Sequence, residues 1–119
     1  MNGYYKYIIN IENGKYWFGL YPNNNNKQSL IESCVFDSLD ICKNEIDIFK
    51  KIIIENDLKT YDNNIIKFVQ KGKKFNFVYK IGSKIYSRKT CLESREQLER
   101  DIKLIYDNIN APIKERKFE

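Results

Sequence analysis

Histidine is absent from the 119 residues, and this removes several chemistries at once. Ser-His and Cys-His nucleophile pairs and imidazole general bases are excluded, and no histidine is available to complete a zinc or copper site. Cysteine is sparse: Cys34, Cys42 and Cys91 are an odd number in no metal-like spacing. They read as buried or half-buried thiols in a reducing compartment. Glycine is scattered, with Gly14, Gly19, Gly72 and Gly82 each standing singly, so no glycine-rich loop is present to cradle a phosphate. Long apolar runs are also missing. Ile52-Ile53-Ile54 follows Lys50-Lys51 and falls far short of the roughly 20 residues that span a bilayer. Met1 to Tyr5 has neither a basic start nor an apolar signal core. The expectation is a cytoplasmic protein with no catalytic residues, no metal and no cofactor, and not an enzyme.

What is present is a fold-forming composition. Hydrophobic residues make up 42% and aromatics 14%, which excludes intrinsic disorder. At this length residues 1–119 form one domain, and a unit half that size would bury only a marginal core. The chain also repeats a series of signals, over about residues 4–58 and again over 65–118. Tyr5-Lys6-Tyr7-Ile8 answers to Ile66-Lys67-Phe68-Val69, and Tyr16-Trp17-Phe18-Gly19-Leu20 to Phe75-Asn76-Phe77-Val78-Tyr79. Ser38 and Ile46 answer to Ser94 and Ile102 at one offset of 56. Such self-similarity is the signature of a duplicated unit.

Within each repeat the elements are readable. Tyr4 to Ile11 is a strand, Asn13-Gly14 a tight hairpin turn, and Lys15 to Tyr21 a second strand. Pro22 and Asn23 to Asn26 form a loop, and Ser29 to Phe36 a third strand. Asp37-Ser38 offers a helix N-cap, after which Leu39, Cys42, Ile46, Phe49 and Ile53 keep helical spacing to about Asn56. The second copy runs through Ile65 to Val69, Lys74 to Lys80 and Lys84 to Leu92. A capping box of Ser94 and Gln97 starts a helix lined by Leu98, Ile102, Ile105 and Ile109, which Ala111-Pro112 ends. Ile113 to Phe118 would add at best a charged edge strand. Each unit is therefore β-β-β-α with an optional trailing strand. The fold class is α+β: one antiparallel sheet with both helices on one face.

These residues resemble the YegP-type domain of unknown function, a family usually built as a tandem pair. Its aromatic-x-Phe-x-Leu strand is matched by Tyr16 to Leu20 and more loosely by Phe75 to Tyr79. Its helix pattern is matched by Lys43 to Lys51 and by Arg100 to Ile105. Where the family pattern has a helix glycine, this chain has Glu45 and Asp101. The resemblance implies two β3-α-β units in one sheet with exchanged final strands. It implies no activity and no catalytic residues.

Charge is divided unevenly. The net charge is +5, yet residues 1–58 carry six basic against eight acidic residues, while 59–119 carry fifteen against eight. The basic half suits an anionic partner, whether an acidic protein, a nucleotide or nucleic acid, or it simply confers solubility.

The sheet face opposite the helices is the candidate surface. If Tyr16, Phe18 and Leu20 point to the helices, the period of two sends Trp17, Gly19 and Tyr21 outward. Tyr4, Lys6 and Ile8, with Lys67, Val69, Asn76, Val78 and Lys80, join them. Gly19 beside Trp17 would leave a flat space. The candidate binding residues are Trp17, Tyr21, Tyr4, Lys6, Lys67 and Lys80. Aromatic rings among lysines suit a protein partner or homodimer. They also suit a basic nucleic-acid or nucleotide platform that stacks bases. A register error of one residue would instead put Trp17 in the core.

Overall fold

The computed structural model describes residues 4–60, 63–88 and 91–118. Seven strands form one sheet: β1 (Tyr5–Glu12), β2 (Lys15–Pro22), β3 (Ile31–Glu32), β4 (Ile66–Lys71), β5 (Lys74–Ile81), β6 (Lys84–Ser87) and β7 (Ile113–Lys117). Helix α1 (Leu39–Glu55) follows β3 and helix α2 (Arg95–Asp107) follows β6. The sheet order is β4-β5-β6-β3-β2-β1-β7. Two antiparallel meanders thus meet at one central pairing, Glu32 with Ser87.

The hairpins follow from their turns. Asn13 and Gly14 both have positive φ, which a two-residue turn between twisted strands requires. It sets the β1–β2 register from Glu12–Lys15 to Tyr5–Pro22. The third strands are shorter than their apolar runs suggest. Beyond β3 and β6 only isolated bridges remain, Tyr16 with Phe36 and Phe75 with Leu92.

Both helices begin on a serine. Ser38 Oγ accepts from Ile41 N–H and Ser94 Oγ from Gln97 N–H, satisfying one of the first-turn donors that have no carbonyl within the helix. Gln97 reaches back to Glu93 N–H, one residue before the cap. Each helix stops at an asparagine, Asn56 and Asn108, whose amide donates to the carbonyl four residues earlier.

One core joins the helices to the sheet: Ile46, Phe49 and Ile53 from α1, Leu98, Ile102 and Ile105 from α2, and Tyr7, Ile9, Phe18, Leu20, Phe77 and Tyr79 from the strands. Both helices therefore cover the same face. Two acids, Glu45 and Asp101, sit in this interface. Glu45 accepts from Lys84 Nζ at 2.8 Å and Asp101 from Arg88 Nη1 at 2.7 Å. A buried carboxylate is tolerated only when paired, and each acid has its base from β6 or the residue just beyond it.

The sheet is mixed rather than wholly antiparallel. β7 lies parallel to β1, with Tyr7 opposite Ile113 and Ile11 opposite Lys117. Tight turns impose antiparallel neighbours, but β7 arrives after α2 and is free of that rule. Its place beside β1 sets the last strand of the chain next to the first. Among the described residues no strand follows α1 to border β4 in the same way; residues 61 and 62 lie outside the description.

Candidate functional site

The face opposite the helices is built by the strand period of two acting through the observed register. Phe18 pairs with Ile9 and Leu20 with Tyr7 on the helix side. Trp17, Gly19 and Tyr21 thus share the other side with Asn10, Ile8 and Lys6. Pairing carries the same alternation across β5, where Lys67 opposes Val78 and Val69 opposes Asn76. Lys80 opposes Ile85 on this face.

The register places all of Trp17, Tyr21, Lys6, Lys67 and Lys80 on this face, but it does not bring them into one patch. On the half formed by β7, β1, β2 and β3 the face is covered. Tyr21 is 2% exposed and Lys6 8%. Tyr21 OH donates to Glu32 Oε1 and accepts from Asn10 Nδ2, and Ser29 Oγ also donates to Glu32 Oε1. Burial is the main cause that raises the Tyr21 phenol above its ordinary range. Lys6 Nζ donates to Asn23 O at 3.1 Å, binding the asparagine loop to the sheet.

Arg116 of β7 closes this half. Its Nε and Nη2 donate to Asn10 Oδ1 at 2.9 and 2.6 Å, and its Nη1 donates to Asn26 O. The same guanidinium lies over the rings of Tyr21 and Phe118. Phe118 in turn stacks on Trp17, with centroids 6.0 Å apart and planes 3° from parallel. Trp17 is half-buried: it belongs neither to the helix-side core nor to a bare platform. The space beside Gly19 is not empty either. A Cβ there would lie 2.8 Å from Tyr21 Cε1 and 3.0 Å from Ile31 O, so glycine is needed because the Tyr21 ring lies across it. Tyr4 is 63% exposed at the outer end of this half, beside the asparagine loop.

The half formed by β4, β5 and β6 is open. Lys67, Lys71, Lys74 and Lys80 are all exposed, and Lys74 pairs with Glu93. Between them lies a shallow hollow of about 150 Å³ lined by Val69, Lys71, Lys74, Phe75, Asn76, Val78 and Cys91. Ile85, 51% exposed, adds apolar surface on the same face. No aromatic side chain of the β4–β6 strands points outward here, since Phe68, Phe75, Phe77, Tyr79 and Tyr86 all occupy the helix-facing register. The outward aromatics Trp17 and Tyr21 therefore stand on a different half from Lys67 and Lys80. Sequence reasoning missed Arg116, Glu32, Asn10 and Phe118. The heavy charge of Ile113 to Phe118 was a signal for an edge strand, not for a clamp.

The described residues contain no group of three His, Cys, Asp or Glu side chains able to hold a metal ion, and no helix is long and apolar enough to cross a membrane. Cys42 is buried, while Cys34 and Cys91 are exposed.

Comparison with known proteins bears on the fold. No family model matches the sequence, and no curated protein does. Among solved structures, the protein of unknown function YegP from E. coli aligns with a TM-score of 0.73 at 12% identity, covering 98% of this chain and 96% of that one. A UPF0339 protein from Shewanella oneidensis aligns with a TM-score of 0.73 at 17% identity, over 100% of this chain and 95% of that one. The chain has the YegP-like fold.

Proposed function

We propose that this protein is a non-enzymatic binding module, built from two diverged copies of a β-β-β-α unit, that engages a protein partner through the β4–β5–β6 half of its open sheet face. The observation carrying this reading is the contrast on one sheet face. One half is closed by Arg116, Tyr21, Glu32 and Phe118, and the other presents exposed lysines around Val69, Val78 and Ile85. An apolar centre rimmed by charge is the ordinary anatomy of a protein–protein interface. The two isolated bridges and the two serine caps support the duplication, because they recur at matching places in both copies. The lack of histidine supports a binding role over an acid–base one.

Base stacking is the second reading, and the lysines favour it. Geometry weighs against it, because Tyr21 is buried and Trp17 is already stacked on Phe118. One experiment separates the two. Partner capture in the host extract is run with the natural chain and with Lys67→Glu and Lys80→Glu together, alongside titration with single-stranded oligonucleotide. A defined protein partner lost in the double variant, with an unchanged melting temperature, supports the module. Binding to the oligonucleotide that falls steeply with salt, with no partner captured, would replace it with the nucleic-acid reading.

A further inference from the structure

The two outer edges of the sheet are treated differently. At one end β1 carries β7. At the other, β4 is the outermost strand. Lys80 N–H donates to Ile65 O, which fixes the bonding parity of β4. Lys67, Val69 and Lys71 turn their main-chain groups toward β5, and Ile66, Phe68 and Gln70 turn theirs outward. The same parity holds at β1, where Tyr7 and Ile11 face β7: Tyr7 N–H donates to Pro112 O, and Ile11 O accepts from Phe118 N–H. At the start of β4 the Asn63 side chain stands in for that main chain, its Oδ1 accepting from Ile66 N–H at 2.7 Å. Beyond it, among the described residues, nothing pairs with Ile66 C=O or with the N–H and C=O of Gln70 on the outer side.

An outer strand of this kind is a template for another strand, and charge selects the occupant. β4 carries Lys67 and Lys71 without an acid. Lys73, Lys74 and Lys80 lie exposed nearby, and the Arg95 guanidinium sits 4.9 Å from the Phe68 ring centroid. A second copy offers either its own β4 or its β7, whose sequence Ile-Lys-Glu-Arg-Lys is also net positive. Both would set like charges side by side, which disfavours pairing. An acidic extended segment meets the opposite sign at the same positions.

We infer that the outer edge of β4 accepts an acidic, extended peptide segment of a partner protein as an eighth strand. Its carboxylates would lie beside Lys67 and Lys71, and its main chain would bond Ile66 and Gln70. The segment runs parallel to β4, as β7 runs along β1. This rests on the binding-module reading and names the partner's chemistry and its mode of attachment.

The test uses the full chain and a fluorescein-labelled peptide alternating Glu and Val, with a Lys-Val peptide as its counterpart. Three results are expected: saturable binding of the Glu-Val peptide, slowed hydrogen exchange at the Gln70 amide when bound, and no binding of the Lys-Val peptide. Lys67→Glu should weaken the Glu-Val peptide roughly tenfold. Gln70→Pro deletes the outward N–H at an edge position that tolerates proline and should weaken binding by a similar factor with every lysine retained. Binding that Lys67→Glu removes but Gln70→Pro leaves intact, with Gln70 exchange unchanged, would overturn strand addition while leaving the face reading standing. Absence of peptide binding would overturn the inference, and partner capture would then judge the wider reading separately. A dimer in sedimentation that Gln70→Pro dissolves would overturn the choice of an acidic segment over a second copy.

Discussion

The two halves of the open sheet face share one periodicity and end in opposite states. On β1 and β2 the outward residues include Lys6, Asn10, Trp17 and Tyr21; on β4 and β5 they include Lys67, Val69, Asn76, Val78 and Lys80. Either set could have faced water. The first is closed because β7 brings Arg116 and Phe118 over it and the loop after β2 supplies Asn23 and Asn26 as hydrogen-bond acceptors. The second has no neighbouring strand beyond β4 among the described residues. An outward position in a strand pattern is thus only a position, and whether it becomes surface depends on what borders the edge.

Substitutions can break this contrast in order of expected effect. Arg116→Ala should be the most damaging. It leaves the buried Asn10 Oδ1 without its donor, a loss of about 1–3 kcal/mol for a buried acceptor left unpaired, and frees the exposed Asn26 carbonyl to water; the loss is read as a lower urea midpoint at an unchanged slope. The sole tryptophan, Trp17, should shift its emission to the red in the same variant, because Phe118 loses the guanidinium that holds it.

Gly19→Ala should cost about 1–3 kcal/mol by overpacking, since the new methyl meets the Tyr21 ring and the Ile31 carbonyl. Recovery of stability in the double variant Gly19→Ala, Tyr21→Ser would identify the ring as the obstacle; failure to recover would place the strain at the carbonyl. Trp17→Ala should fall lower, near the ~0.5–1.5 kcal/mol of one aromatic pair beyond its burial, because the ring is only half-buried and, among the described residues, stacks on Phe118 alone. A loss as large as a core aromatic would move Trp17 into the core.

Lys67→Ala and Lys80→Ala, on the open half, should change stability by less than about 0.5 kcal/mol. A thermal melt that drops clearly in either variant would show that this half is also structural.

Smallest of all is the thiol contrast. Burial pushes the Cys42 thiol from its ordinary 9.0 up to about 12, with the nearby Cys34 and Glu45 adding to it. A raised folded pKa means that its contribution to stability is complete below pH 9.0 and fades as the pH climbs toward 12. At mildly alkaline pH a disulfide reagent should therefore modify Cys34 and Cys91 in the folded protein, and Cys42 only after denaturation.

Much of the fold was legible because its signals are local. The Asn13-Gly14 turn, the Ser38 and Ser94 caps and the 3.6-residue spacing of Ile46, Phe49 and Ile53 act within a few residues, and α1 and α2 start where those caps put them, though α2 ends at Asp107, short of the expected stop at Ala111-Pro112. The mixed sheet was not legible, because β7 reaches β1 from the far end of the chain. The candidate site divides along the same line. The outward register of Trp17, Tyr21, Lys6, Lys67 and Lys80 follows from alternation within each strand. The burial of Tyr21 and Lys6 follows from partners that alternation cannot see.

The sequence by itself determined the hairpin turns, the helix starts, the alternation along each strand and the uneven charge of the two halves, since these depend on short-range sterics, period and composition. Only the tertiary structure decided which part of the open face remains a surface. Arg116 meets Asn10 across 106 residues of chain, and contacts at that separation are set by how strands are ordered in the sheet, not by any local pattern.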